Sequence, residues 1–163
     1  MWIKNIMDEN FQDYKKTSMM IATCKCDWKC AMEGKFDISV CQNSELANQK
    51  NIEVSIKSII NRYLNNPITQ AIVIGGLEPM LQFDEVLEFI EAFRLVSDDD
   101  VVVYTGYYPN ELINKLCKLV EHKNIIVKFG RYKENSSKVF DKALGIWLSS
   151  NNQYGIKISW GGK

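Results

Sequence analysis

Two hydrophobic patterns alternate along the chain. Short, nearly unbroken apolar runs occur in "SMMIAT" (18–23), "QAIVIGG" (70–76), "DDDVVVYTG" (98–106) and "NIIVKFG" (124–130). Runs of that length and continuity read as buried strands. Between them lie segments with apolar residues at helical spacing. Residues 54–64 carry Ile56, Ile59, Ile60 and Tyr63 on one face and are stopped by "NNP". Residues 83–96 set Val86, Leu87, Ile90 and Phe93 against a wet face of Glu85, Glu88, Glu91 and Arg94. Residues 109–122 open with a proline suited to the first helical turn. "LGIWLSS" (144–150) and "GIKISW" (155–160) are further short strand candidates.

Strands alternating with helices imply βαβ units, hence an α/β chain with a mostly parallel sheet. No repeat and no Pro/Gly-rich linker interrupts the 163 residues, so 1–163 reads as one domain. In sheets of this kind the chemistry gathers at the C-terminal ends of the strands. The distinctive residues fall there. A cysteine loop (24–43) follows the first strand, "GGLEP" the second, "TGY" the third and "FGRY" the fourth.

Composition narrows the function classes. Lys plus Arg and Asp plus Glu are both 20, so net charge gives no case for nucleic acid or an anionic membrane. No window approaches the ~20 apolar residues of a membrane-spanning helix. The start, "MWIKNIMDENFQDYKK", lacks the apolar stretch of a signal peptide, and a cytoplasmic location is expected.

That expectation bears on "CKCDWKCAMEGKFDISVCQN", which holds four of the five cysteines. Disulfides, zinc and an iron–sulfur cluster are the available roles. A reducing compartment and an odd thiol count weigh against disulfides. Cys24, Cys26, Cys30 and Cys41 could supply four thiolates to zinc, but C-x-C-x3-C-x10-C is not a common zinc-knuckle spacing. A loop after a buried strand, at the functional edge of a sheet, suits a cluster. Cys117 sits in a helical apolar pattern and reads as core, and His122 ends that helix without a chemical role. "SDDD" (97–100) reads as a solvated loop. Lys25, Lys29 and Lys35 read as solvated, with the option of lowering nearby thiol pKa values.

The motifs together resemble the radical S-adenosylmethionine (SAM) enzymes. Their usual C-x3-C-x2-C loop is matched by "CDWKC" (26–30). Glu33 stands where the third cysteine normally falls, and "EGKFDIS" reads as an insertion that moves the third ligand to Cys41. "GGLEP" (75–79) resembles the family's Gly-Gly-Glu-Pro segment with Leu77 inserted. "VVVYTGY", "IVKFGRY" and "LGIWLSSNNQ" resemble later segments of the small enzymes that install glycyl radicals. The likeness covers about residues 19–153 and is greatest to the activating proteins of anaerobic ribonucleotide reductases.

The resemblance implies an open, partial (β/α) barrel, because 163 residues supply roughly half of a full barrel. It implies a [4Fe-4S] cluster on Cys26, Cys30 and Cys41, with Cys24 spare, and SAM as the second cofactor. Gly75 and Gly76 would let backbone approach the methionine end of SAM, and Glu78 would fix the turn or accept from the ammonium group. Val40 would touch adenine, with Thr105 and Lys128 also at the cofactor and Arg131 a further candidate for its carboxylate. The implied partners are a glycyl radical protein, docking near Tyr107, Tyr108, Arg131 and Tyr132, and an electron donor such as flavodoxin or ferredoxin. The competing reading is a zinc- or cluster-holding binding module without radical chemistry.

Overall fold

The computed structural model describes residues 1–158. The candidate strand 155–160 is therefore seen only to Ile158, and Ser159 and Trp160 lie outside the described residues. Among the described residues, nine strands and five α-helices follow one another as β1 (Trp2–Asn10), β2 (Ser18–Thr23), α1 (Lys29–Gly34), α2 (Ser44–Ala47), β3 (Ile52–Glu53), α3 (Ile56–Leu64), β4 (Ala71–Gly76), α4 (Phe83–Arg94), β5 (Asp100–Tyr104), α5 (Ile113–Leu119), β6 (Ile125–Phe129), β7 (Val139–Asp141), β8 (Ile146–Leu148) and β9 (Tyr154–Ile158).

Seven strands form one sheet in the order β3-β1-β2-β4-β5-β6-β9. The middle pairings, β2·β4, β4·β5 and β5·β6, are parallel. The outer pairings, β1·β2, β1·β3 and β6·β9, are antiparallel. The expectation of a partial (β/α) barrel with a mostly parallel sheet is therefore wrong, although the α/β class stands. The reason lies at the edges. The polar N-terminal segment adds an antiparallel strand beside β2. After β6 the chain makes no further helical crossover but turns back through the β7–β8 hairpin and lays β9 antiparallel on β6.

The parallel centre explains the layering. Consecutive right-handed crossovers in a steadily growing sheet place their helices on one face. α3, α4 and α5 pack there through Ile59, Tyr63, Phe89, Phe93 and Leu119 against Ile72, Ile74, Val101, Val103, Ile125 and Val127. The alternate residues Ala71, Val73, Val102 and Ile126 face the other way, under Tyr14, Leu144 and Leu148. The hairpin thus covers part of the second face and leaves the rest beside a cleft. Cys117 is exposed, which corrects its reading as core. Leu112, Leu116 and Leu119 face the core from this segment, and Cys117 points elsewhere. The "SDDD" strip is not merely solvated either. Asp100 opens β5, 8% exposed, and accepts from Tyr14 Oη and Lys16 Nζ. Among the described residues no helix is long and apolar enough to cross a membrane.

Candidate metal centre

Strands β2, β4 and β5 run parallel and end together, so the segments that follow them share one edge of the sheet. A cleft of about 450 Å³ opens there. Cys26, Cys30, Cys41, Gly76, Glu78, Thr105 and Lys128 all line it. Cys24 does not. Its backbone N–H and its thiol both meet Gln82 Oε1, at 2.9 and 3.3 Å, which turns it toward β1. Gly75 is buried, and Val40 is half-buried in the 3-10 turn Ile38–Val40; neither lines the cleft.

The cysteine loop is fastened at several points. The Glu78 N–H donates to Lys25 O at 2.7 Å, and Asn43 Nδ2 donates to Gly76 O. Phe36 packs edge-on against Tyr132 with centroids 5.7 Å apart. Cys30 Sγ lies against Gly106, where a Cβ would come within 3.3 Å of it. Gly106 is a site residue that the sequence motifs did not single out, although it stands inside "TGY". Across the cleft, Gln42 Nε2 donates to Ser149 Oγ at 3.2 Å, next to the exposed Trp147.

Glu78 is 6% exposed, and both oxygens of its carboxylate accept hydrogen bonds within the chain. Oε1 accepts from the Thr105 hydroxyl at 2.8 Å and the Met80 N–H at 3.1 Å, while Oε2 accepts from the Gly106 N–H at 2.8 Å. Burial raises its pKa, against the pull of these donors. It ties the end of β4 to the end of β5. Gly76 has φ +79°, and a Cβ there would meet Ala22 Cα and Cβ at 2.9 Å, so the fold itself demands glycine. Lys128 is 8% exposed, with Nζ 3.1 Å from Gly130 O. Burial lowers its pKa to about 8, opposed by the Cys30 and Glu78 charges.

Arg131 does not line this cleft. Its guanidinium forks to Glu111 at 2.8 and 2.6 Å and lies over the Tyr107 and Tyr108 rings. It faces a second cleft of about 480 Å³ that also reaches Cys30, Glu33 and Tyr132. Lys29, expected to be solvated, reaches Glu111 and lies over the Tyr107 ring.

Burial pushes Cys26 up to about 11 and raises Cys30, so metal must displace their protons. The Trp28 N–H points at Cys26 Sγ from 3.3 Å, and the Tyr132 N–H and the Lys128 charge favour the Cys30 thiolate. Donors and positive charge of this kind offset the negative charge of a thiolate-bound cluster. Among the described residues no three Cys, His, Asp or Glu side chains converge on one ion. A cluster asks for something wider, because each thiolate binds a different iron. The residues fit that group.

Comparison with curated proteins and with solved structures finds no match. The family described as "4Fe-4S single cluster domain" matches residues 17–154, which include the three cleft cysteines and strands β2 to β8. This match over most of the chain makes it an iron–sulfur protein: it belongs to the 4Fe-4S single cluster domain family.

Proposed function

We propose that the chain is a radical SAM enzyme that makes a radical on a partner protein. The observation that carries this reading is the sorting of the clustered thiols: Cys26, Cys30 and Cys41 line the cleft while Cys24 is bound away on Gln82. Cys26, Cys30 and Cys41 would hold the cluster and would leave it room to bind SAM. With both groups bound, the cluster would supply the electron for reductive cleavage of SAM, the source of a radical able to take a hydrogen atom from substrate.

The chain's own residues bind, orient and shield. Lys128 offers a buried cation to the SAM carboxylate from inside the cleft. Glu78 holds the Thr105–Gly106 turn against Cys30 rather than meeting the ligand itself. Ile146, Trp147 and Leu148 form an apolar wall for the nucleoside. Trp147 is 67% exposed, so the cleft stays open on the hairpin side. A deoxyadenosyl radical requires exclusion of water. A glycine-bearing loop of a glycyl radical protein, such as an anaerobic ribonucleotide reductase, would close that side, and a flavodoxin or ferredoxin would supply the electron.

The test is product analysis on reconstituted, reduced protein under anaerobic conditions. The reading predicts 5′-deoxyadenosine and methionine from SAM, and a glycyl radical signal in the added reductase subunit. A loaded four-iron protein that neither binds nor cleaves SAM would instead be a cluster-holding module. Cleavage without a glycyl signal would redirect the search to peptide or small-molecule substrates.

A further inference from the structure

Helix α1 carries Cys30 yet has little of its own to hold it in place. It is six residues long, with no side-chain cap at its start. Trp28 before it and Lys35 after it are both left-handed, at φ 58° and 53°, and Ala31 is its one buried residue. A segment this short is not stable from propensity alone.

Polar links to two distant elements stand in for packing. The Tyr107 hydroxyl donates to Asp27, just before the helix. Lys29 Nζ lies 3.3 Å from Glu111 Oε1. Arg131 Nε lies 2.9 Å from Glu33 Oε2, an ion pair without hydrogen-bond alignment. Arg131 then forks onto Glu111, whose Oε2 also accepts from the Tyr108 N–H at 2.8 Å. One carboxylate therefore joins α1, the turn after β5 and the segment after β6. Neither Glu111 nor Arg131 belongs to a hydrophobic core. Their loss should loosen α1 and leave the sheet intact.

We infer that Glu111 is a positioning residue for the iron–sulfur cluster: with Arg131 it pins α1 so that the Cys30 thiol stays seated against Gly106, in the cleft with Cys26 and Cys41. Glu111 lies 82 residues from Lys29 in the chain and does not line the cleft, so it acts through α1 and not on the metal. The inference rests on the cluster assignment and is independent of the SAM chemistry.

The experiment uses the full chain with Glu111→Gln, which keeps the shape and removes the charge, and Arg131→Lys, which keeps a charge and removes the fork. On metal-free anaerobic protein, iodoacetamide labelling is followed cysteine by cysteine by peptide mass mapping. Glu111→Gln should speed Cys30 alkylation at least about fivefold through local opening, with the exposed Cys117 as an unchanged reference. Amide exchange should rise across residues 27–35 and stay at the wild-type level in β4. After reconstitution, the reduced cluster of Glu111→Gln should show shifted electron paramagnetic resonance g values and a changed midpoint potential, with Arg131→Lys intermediate. Wild-type Cys30 alkylation and a wild-type spectrum in Glu111→Gln would overturn the inference. So would equal loss of protection in α1 and β4, which would mark Glu111 as a residue of the fold at large. The labelling uses metal-free protein, so its outcome does not depend on whether SAM is cleaved.

Discussion

Replacing Glu78 with Gln changes one terminal atom in a site where both carboxylate oxygens accept hydrogen bonds. Oε1 serves the Thr105 hydroxyl and the Met80 N–H, and Oε2 serves the Gly106 N–H. A glutamine amide can put its oxygen in only one of those places. The Thr105 hydroxyl can turn round and accept from the new NH2 group. The two backbone N–H groups cannot. Whichever way the amide points, Met80 or Gly106 keeps a buried donor with no acceptor. One such orphan costs about 1–3 kcal/mol, and the remaining bonds lose their charge assistance. The expected destabilisation is about 2–3 kcal/mol. For a chain of this length that is a fall of roughly 5–10 °C in melting temperature. Anaerobic thermal and urea melts of metal-free wild type and Glu78→Gln would measure it. A variant that melts within about 1 °C of wild type would show that these bonds do not stabilise the fold. The carboxylate would then be free for a ligand such as the SAM ammonium group, and the tie between β4 and β5 would be incidental.

Gly76→Ala should lose about 2–4 kcal/mol in denaturant melts, because it combines a left-handed φ with a Cβ 2.9 Å from Ala22 backbone. Gly75→Ala meets the end of the Met20 side chain at 3.1 Å and Tyr104 Cβ at an ordinary 3.5 Å, and should stay within about 1 kcal/mol; equal losses at the two positions would contradict this. The Arg131 fork lowers the Glu111 pKa from 4.5 to about 2, so the ionised carboxylate favours the pinned arrangement of α1. The gap in amide protection across residues 27–35 between wild type and Glu111→Gln should be full above about pH 5 and shrink as pH falls toward about 2; a gap that widens on acidification would oppose the assignment.

The central strands were legible because burial on both faces leaves an unmistakable trace. "AIVI" and "VVVY" tolerate no polar residue, and each became a parallel strand of the sheet. The edges were not legible. β1 reads "WIKNIMDEN", and its polar residues are satisfied in ways no local pattern announces. Lys4 Nζ donates to two carbonyls of the 47–49 loop, and Asp8 pairs with Arg62 of α3. A run of βα units also does not say what pairs at either end of the sheet. The barrel expectation extended the central pattern outward, where β1 and β9 run antiparallel. At the site, the motifs pointed to the strand ends because topology gathers those ends at one edge. What they could not convey was occupancy. Glu78 looks like a free carboxylate in "GGLEP" and Arg131 a free cation in "FGRY", whereas both are engaged by partners at least 20 residues away. Gln82, which holds Cys24, and Glu111, which holds Arg131, carry no motif at all.

The assignment of the cluster to three of four neighbouring thiols can be measured directly. Iron and sulfide are counted after anaerobic reconstitution of wild type and of Cys24→Ala, Cys26→Ala, Cys30→Ala and Cys41→Ala, each checked for folding by circular dichroism. Wild type should hold four irons per chain, in line with the family's single 4Fe-4S cluster, and Cys24→Ala should hold the same number. Each of the other three variants should lose the four-iron cluster. A Cys24→Ala chain that loses the cluster while Cys41→Ala keeps it would contradict the assignment.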